Sequence, residues 1–521
     1  MKLKVCLSLA VAVLLAAGAG LSEGPKLHPA GGLLFQDPYT VPGLKVVDEF
    51  TVSRGAPRMD APSAIDLTSE MPTVGDQGSQ NSCVAWAVGY YDKTHIEYIE
   101  RRYGWMDTTW HLDVPEHQIS PSFIYNQINA GRDGGIYMND AQILICQQGA
   151  CMLSDCPYHD YDYATWPSES AYANAVPYRG LDGWAINVMS DVGINQVKLV
   201  VAAHNTCVLG INIFPNFDNI NNYDTVYTVN DKKKPNRGSH AVCIVGYDDN
   251  KVTADGLGAF RFVNSWGTGW GHDGYGWISY YAVKNTKANL SQGFVYVTED
   301  RYKYSPTALA RVKLTHPCRD RINIMLGVGS SRAPLWTFFY RGFWILQGTI
   351  TDQPFPNSKL VFDLTDGASY LGQTDSVYVQ CIDYKKDRKT GTIDFLSAEY
   401  GGRYGSSGQK VTIPDYNVAA YDKVVLPHAF GPQGKPLDGS VASSRAGYRN
   451  GAVSVAFNLA RPGTVKVAFF DDMGRTVAAA TAQGQSGPNE LSVKLPRSAG
   501  VYFYRLESGS TTMTGKLAAI R

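Results

Sequence analysis

Cys83 stands where a polar turn meets an apolar helical pattern. It follows the run QGSQNS, and the apolar residues of segment 84–103 recur at three- and four-residue steps until Gly104. Unpaired N–H groups at the start of such a helix stabilise an anion, and the thiolate is the reactive form of cysteine. We therefore expect Cys83 to be a nucleophile with a lowered pKa. The commoner alternative for a single cysteine is an inert buried thiol or half of a disulfide.

Two later stretches supply the partners that a thiol nucleophile requires. His240 begins an apolar strand pattern in GSHAVCIVGYDD, and Asn264 ends another in FRFVNSW. Alone, a histidine before a strand is usually a satisfied surface or core residue, and an asparagine there is usually a turn former. In the order Cys, His, Asn, however, the three side chains are the set used in nucleophilic thiol catalysis.

With these residues in place, the chain resembles the papain family of cysteine peptidases from residue 63 to about residue 290. Each motif alone is weak, but their order makes a chance match unlikely. The motifs are Gln77 six residues before Cys83, SHAV around His240, NSWG with the following GWG and GYG after Asn264, GRDGG at 131–135, and PY at 157–158.

The resemblance implies a catalytic role for each matching position. Cys83 would be the nucleophile, His240 its proton acceptor and later donor, and Asn264 the residue that orients the imidazole. The side-chain amide of Gln77 and the backbone N–H of Cys83 would form the oxyanion hole. Trp266 would shield the His–Asn pair from water and would belong, with Gly134 and Gly135, to the substrate-binding residues.

The resemblance also implies a substrate cleft and an overall fold for this region. Gly134 and Gly135 would form a wall of the cleft, where Gly135 offers its backbone to an extended peptide. Residues 63–300 would fold as an α+β papain-like domain, with a helical half and a β-barrel-like half. Neither a metal nor an organic cofactor is expected. The partners would be protein or peptide substrates.

Several positions depart from the family pattern. Val84 follows the nucleophile where the family usually has tryptophan, and Trp86 lies two residues further on. Gln80 and Arg132 stand where many members have two cysteines that form a disulfide. Both cysteines are absent here, so neither is left as an unpaired half of that bridge. Segment 21–62 is too short for the long helical inhibitory propeptide of some members. How the enzyme is kept inactive during export is left open.

The N-terminus predicts export. Residues 1–20 combine two lysines, a short apolar run and small residues, as in a signal peptide; a signal anchor is the alternative. No later stretch predicts a membrane span. Without Cys6 eight cysteines remain, and we expect disulfide bonding within 146–156 without being able to assign partners. The formal net charge of +0 gives no indication of a nucleic-acid partner.

The remainder of the chain predicts two β domains. Residues 301–420 faintly resemble an all-β, jelly-roll-like P domain, and 421–450 predict a linker. Residues 451–521 predict a small β-sandwich that resembles the type A C-terminal sorting domain of the type IX secretion system. The residues that carry this second resemblance are VKVAFFDDMGRTV (465–477), AGVYFYRLESG (499–509) and GKLAAI (515–520).

Taken together, these features predict a bacterial cysteine endopeptidase, exported through both membranes with the type IX machinery as a partner and ending secreted or at the cell surface. Two alternatives stay open. One is an inactive papain scaffold that acts as a surface binding or adhesion protein, against which the intact Cys83, His240, Asn264 and Gln77 argue. The other is a thiol transpeptidase or amidase, which an assay with amine acceptors would distinguish.

Overall fold

The structure of the chain is a computed structural model. It describes residues 28–48, 61–104, 106–221, 223–232, 235–341, 353–427, 441–449, 452–459, 462–470, 476–494, 500–508 and 511–519. The predicted signal peptide, 1–20, lies outside the described residues, as do parts of the predicted leader, 21–62. Within the described residues, no helix combines the length and the apolar character needed to cross a membrane.

The helical half begins with the helix that starts at the nucleophile, α1, residues 83–104. Its α-helical turns are Cys83–Ala85 and Thr94–Ile99, and its wider π-helical stretches are Trp86–Lys93 and Glu100–Gly104. The predicted end at Gly104 is confirmed, but the π-helical stretches were not predicted. The other α-helices in the described residues are α2 Pro121–Ile128, α3 Met138–Gln148, α4 Glu169–Ala175, α5 Asp191–Ala202, α6 Tyr280–Lys284 and α7 Leu371–Thr374.

The second half of the catalytic region is built on a nine-stranded, mostly antiparallel sheet within the described residues. Its order is β2-β5-β11-β6-β8-β9-β10-β7, and β3 pairs with β8. The strands are β2 Lys45–Val47, β3 Ala64–Asp66, β5 Gly180–Asn187, β6 Cys207–Ile213, β7 Val226–Tyr227, β8 Gly238–Thr253, β9 Gly256–Val263, β10 Tyr275–Ser279 and β11 Ser291–Asp300.

A separate two-stranded pair joins the leader to the catalytic region. Its strands are β1 Leu33–Leu34 and β4 Ile136–Tyr137, and they run parallel. The stretch GYGWISYYAV has the composition of a single strand, but β10 ends at Ser279 and α6 follows directly. The reason is local, since the Ser279 hydroxyl accepts a hydrogen bond from the N–H of Ala282 at 3.0 Å and caps the helix.

Residues 308–425 form two packed sheets. One has the order β15-β12-β17-β18 with β19 beside β17, and the other has the order β14-β13-β16-β20. Ile322, Ile324, Leu326 and Val328 alternate inward on β13, as their spacing predicts. The strands are β12 Ala308–Thr315, β13 Ile322–Ser330, β14 Ala333–Tyr340, β15 Leu360–Asp363, β16 Ser376–Asp383, β17 Gly391–Tyr400, β18 Arg403–Ser407, β19 Val411–Ile413 and β20 Ala419–Val425.

These two sheets share one hydrophobic core with the helical half. Leu144 and Val176 of the helical half belong to the same buried cluster as Leu360 and Phe362 of β15. A buried ion pair crosses the same boundary, where Arg179 donates to Asp363 at 2.5 Å. Residues 301–425 therefore cover apolar surface that the helical half would otherwise expose to water.

The last described segments form two further sheets, β21-β22-β25 and β24-β23-β26-β27. The predicted linker, 421–450, is too long at both ends, because β20 extends to Val425 and β21 begins at Val441; residues 428–440 lie outside the described residues. The strands are β21 Val441–Arg449, β22 Ala452–Leu459, β23 Gly463–Phe470, β24 Thr476–Gly484, β25 Gly487–Lys494, β26 Gly500–Ser508 and β27 Thr511–Ala519.

Replacement of Asp363 by alanine is expected to lower the free energy of unfolding by about 3–5 kcal/mol, because the buried Arg179 guanidinium then keeps only the more distant Asp366, 4.0 Å away, as a counter-ion. Asp366→Ala is the control. Asp366 pairs with Arg301 at 2.9 Å and lies 4.0 Å from Arg179, but it is half exposed, so its loss should cost about 1 kcal/mol or less. Urea unfolding monitored by fluorescence would measure both, and equal effects would contradict the account of a shared buried boundary.

Candidate active site

The turn before Cys83 is held by hydrogen bonds from two other parts of the chain. The N–H of Gln77 donates to the carbonyl of Ser265 at 2.8 Å. The Tyr158 hydroxyl donates to the carbonyl of Gln77 at 2.8 Å, and Asp160 accepts from both the N–H and the hydroxyl of Ser79 at 2.9 Å. The turn is thereby fixed before α1 begins at the nucleophile.

His240 and Asn264 are brought together by neighbouring strands. His240 lies near the start of β8, and Asn264 directly follows β9, which pairs with β8 in antiparallel register. Nε2 of His240 donates to Oδ1 of Asn264 at 2.7 Å. The same Oδ1 accepts from the N–H of Ser265 at 2.8 Å, which fixes the amide orientation. Both side chains are fully buried.

The free ring nitrogen of His240 is the one that a thiol would use. With Nε2 protonated and bonded to Asn264, the neutral imidazole carries its lone pair on Nδ1. Nδ1 is buried and has no hydrogen-bond partner among the described residues. The thiol of Cys83 accepts a hydrogen bond from the backbone of Ala241, the residue after His240. The predicted nucleophile therefore contacts β8 at the residue that follows the predicted base.

Burial dominates the protonation of this pair. It raises the pKa of the Cys83 thiol to about 12, against the backbone N–H groups that favour the thiolate. It also lowers the pKa of His240 to about 4, although the hydrogen bond to Asn264 opposes this. The prediction of a lowered Cys83 pKa is therefore wrong for this closed structure, because the cost of desolvation exceeds the effect of the helix start. Both groups are neutral here at pH 7.

The Gln77 side chain, which is predicted to line the oxyanion hole, is held by two hydrogen bonds. Its Nε2 donates to the carbonyl of Gln80 at 2.7 Å, and its Oε1 accepts from the Ser265 hydroxyl at 2.7 Å. The residue is completely buried. Because an amide nitrogen carries two N–H groups, one remains for an oxyanion after the bond to Gln80.

Residues 28–34 of the leader occupy the space in front of Cys83. A Cβ atom placed on Gly32 would lie 2.8 Å from Sγ of Cys83 and 2.5 Å from the carbonyl oxygen of Asn81. The carbonyl of Gly32 accepts a hydrogen bond from the N–H of Ile136 at 3.1 Å, next to the β1–β4 pair. The leader thus covers the nucleophile with a residue that has no side chain.

The start of this segment binds the opposite wall. The imidazole of His28 stacks on Trp266 with ring centres 5.3 Å apart. The carbonyl of His28 accepts from Arg237 at 2.6 Å. The leader backbone packs against Gly238 so closely that this residue must be glycine, because a Cβ there would lie 1.7 Å from the carbonyl oxygen of Ala30. The indole of Trp266 also lies 5.0 Å from the His240 ring and covers it, as the sequence predicts.

The glycine wall lies beside the leader. The backbone hydrogen bond to an extended segment, which was predicted at Gly135, is made by the next residue, Ile136. The N–H of Gly135 donates to the Tyr125 hydroxyl at 3.2 Å, so it is Ile136 that binds the extended segment. The backbone N–H predicted at Gly135 is therefore engaged elsewhere in this structure. Gly135 still needs to be glycine, since its φ is +86° and a Cβ would lie 2.6 Å from the carbonyl oxygen of Gly32. A Cβ on Gly134 would meet only the side chain of Arg132 within 4 Å.

Hydrogen bonds join the two segments that lack the family's disulfide. Asp133 accepts from the N–H of Asn81 at 2.8 Å and from the Tyr125 hydroxyl at 2.6 Å. These contacts connect the nucleophile turn to the glycine wall, next to Gln80 and Arg132. Sequence reasoning did not assign a role to Asp133 or Tyr125. The signal available was an acidic residue inside GRDGG, beside the position where the cysteine is missing.

Comparison with known families identifies this region. A model described as papain family cysteine protease matches residues 61–298. Residues 61–298 are a papain-family cysteine protease domain. The chain is accordingly a cysteine-type peptidase.

Solved structures of cysteine proteases resemble the same part of the chain. Xylellain from Xylella fastidiosa is 24% identical, with a TM-score of 0.40, and covers 53% of this chain and 98% of its own. Procathepsin L2 from Tenebrio molitor larval midgut is 21% identical, with a TM-score of 0.39, over 52% of this chain and 78% of its own. Bromelain from Ananas comosus is 15% identical, with a TM-score of 0.35, over 46% and 100%. No curated protein matches the chain.

The protease domain should lose stability as the pH falls, because His240 is buried in its neutral form. Unfolded histidine has a pKa of about 6.5, whereas His240 titrates at about 4 in the folded chain. Below pH 6.5 the unfolded chain therefore binds a proton that the folded chain does not, which costs about 2 kcal/mol by pH 5. We expect the loss in unfolding free energy between pH 7 and pH 5 to be smaller by this amount in His240→Gln. An unchanged pH dependence would contradict the assignment.

Proposed function

We propose that the chain is a secreted bacterial cysteine endopeptidase that hydrolyses peptide bonds through an acyl-enzyme on Cys83. The observation that carries the proposal is the fixed His240–Asn264 pair. It leaves Nδ1 of His240 without a hydrogen-bond partner among the described residues, on the strand whose Ala241 backbone contacts the Cys83 thiol. The match of residues 61–298 to the cysteine protease family supports the same chemistry.

The reaction follows from the roles of these groups. His240 Nδ1 takes the thiol proton while Sγ of Cys83 attacks the carbonyl carbon of the scissile bond. The second N–H of the Gln77 amide and the N–H of Cys83 stabilise the oxyanion, and one such donor contributes about 3 kcal/mol in other enzymes. The C–N bond then breaks, and His240 returns the proton to the leaving amine. Water attacks the thioester, assisted by His240, and releases the carboxylic acid with the free thiol.

We further propose that the described form is a latent precursor. Residues 28–34 lie over Cys83 and contact both walls of the cleft, so a substrate and the leader compete for the same space. When the leader leaves, water reaches the thiol and the imidazole, and the cost of charging them falls. In this position the leader would keep the enzyme inactive until it is removed.

Export is proposed to depend on the two ends of the chain. The N-terminal residues have the composition of a signal peptide. The strands β23, β26 and β27 contain most of the segments that resemble a type IX sorting domain. The proposal places the mature enzyme outside the cell or at its surface, with the type IX machinery as a partner. Substrates would be proteins or peptides.

The reaction type is tested by the fate of the acyl group. The leader-free chain would be incubated with a peptide ester, with and without an excess of a peptide amine, and the products identified by mass spectrometry. Peptidase function predicts that the free acid predominates in both cases. Predominant transfer to the amine would identify a transpeptidase, and no turnover by a correctly folded leader-free chain would favour the binding-protein alternative.

A further inference from the structure

Cys151 and Cys156 are held close together by the turn between them and by one shared serine. The carbonyl of Met152 accepts hydrogen bonds from the N–H of Asp155 at 3.0 Å and the N–H of Cys156 at 3.1 Å, so the chain reverses within this turn. Ser120 binds both ends. Its N–H donates to the carbonyl of Cys151 at 2.9 Å, and its hydroxyl donates to the carbonyl of Cys156 at 2.5 Å.

Cys156 also packs against the buried hydrophobic cluster that contains Cys151. Their thiols share a hydrogen bond, which lowers the pKa of Cys156, while burial raises the pKa of Cys151 well above its usual value. Cys156 is half-buried and Cys151 is fully buried. The more acidic thiol is therefore also the more accessible one, as attack on an external disulfide requires.

We propose that Cys151 and Cys156 form a disulfide bond when the chain meets an oxidising disulfide of a small molecule or a protein. The Cys156 thiolate attacks one sulfur of the oxidant, which forms a mixed disulfide and releases one thiolate of the oxidant. The Cys151 thiol then loses its proton and attacks the Cys156 sulfur, which releases the second thiolate. Two electrons pass to the oxidant, and the two protons from the cysteines are taken up by its thiolates or by water.

The position of this bond gives it a structural consequence. Segment 157–160 follows Cys156 directly and holds the nucleophile turn through Tyr158 and Asp160. A bond between Cys151 and Cys156 closes a short loop at the base of that segment, on the side of the cleft where the disulfide expected at Gln80 and Arg132 is absent. This inference depends on the fold of the turn and not on the proposed catalytic function.

The test uses the full chain with Cys83→Ala, which prevents self-cleavage and removes the predicted active-site thiol. The folded chain is incubated with glutathione disulfide, its free thiols are alkylated, and it is cut without reduction by a protease that cleaves before aspartate. Cleavage before Asp155 separates the two cysteines, so the proposal predicts two peptides joined by a disulfide. Fragmentation of the linked pair should place the alkyl group on Cys146, which lies on the same peptide as Cys151. Alkylation of both Cys151 and Cys156, or pairing of either with another cysteine, would overturn the proposal.

A second measurement covers the case in which digestion is incomplete. The oxidised chain should melt about 5 °C higher than the same chain kept in reductant, as expected for a short disulfide loop. The difference should disappear in Cys156→Ser in the same Cys83→Ala background. An equal difference in that variant would show that another cysteine pair is responsible and would overturn the assignment.

Discussion

Replacement of Cys83 by alanine is expected to reduce kcat/KM for peptide hydrolysis at least about a thousandfold in the leader-free chain. His240→Ala should have a loss of similar size, because the thiol then lacks the base that removes its proton. His111→Ala is the matched control. His111 is exposed, and its hydrogen bonds to His117 involve only its backbone, so kcat/KM should stay within about twofold.

The two active-site variants must also remain folded for this comparison to be valid. Their unfolding midpoints would be measured beside the kinetics, since both side chains are buried and their removal leaves small cavities. Peptide hydrolysis that persists in folded Cys83→Ala at more than about a tenth of the original rate would place the chemistry on another residue.

The second large effect concerns the leader. Gly32→Ala should activate the intact chain, because the new Cβ would lie 2.5 Å from the carbonyl oxygen of Asn81 and 2.8 Å from Sγ of Cys83. The segment would then no longer fit over the nucleophile. The initial rate of the uncleaved variant should exceed that of the uncleaved original chain at least about tenfold, which corresponds to about 1.4 kcal/mol of lost leader binding.

Gly31→Ala provides a close control. A Cβ at Gly31 would meet only the side-chain oxygen of Asn81, at 3.7 Å, which is ordinary contact. This variant should stay as inactive as the original chain. Intact mass at the start of each assay would verify that the leader is still attached. Equal rates for Gly31→Ala and Gly32→Ala would contradict close packing of the leader against Cys83.

Short local motifs identify the candidate catalytic residues in the sequence. Cys83 begins a helix and His240 and Asn264 adjoin strands whose apolar patterns are clear, so their positions follow from short stretches of chain. The π-helical stretches of α1 were not predictable, because the apolar spacing of 84–103 fits an α-helix equally well. The protonation of Cys83 also depended on burial, which its neighbours in sequence do not reveal.

Contacts between segments that are distant in the chain could not be predicted from the sequence. The stretch Ala30–Leu34 has no periodicity that would indicate pairing with Ile136 or contact with Cys83, and its two glycines looked like a flexible leader. The shared core was equally hidden, because alternation on β13 predicts an inward face but not which surface that face meets. The domain boundary drawn at residue 300 therefore separates segments that pack together.

Covalent labelling tests whether Cys83 is the reactive thiol and whether His240 activates it. The chain lacking residues 1–34, with 301–521 retained because of the shared core, would be treated with an epoxysuccinyl inhibitor that alkylates active-site thiolates, and the adduct would be located by mass spectrometry. We predict that a single label is attached to Cys83. The labelling rate should be at least about a hundredfold lower in His240→Ala, and it should also be much lower in the chain that keeps its leader. A folded leader-free chain that stays unlabelled, or that carries the label on another cysteine, would contradict the account.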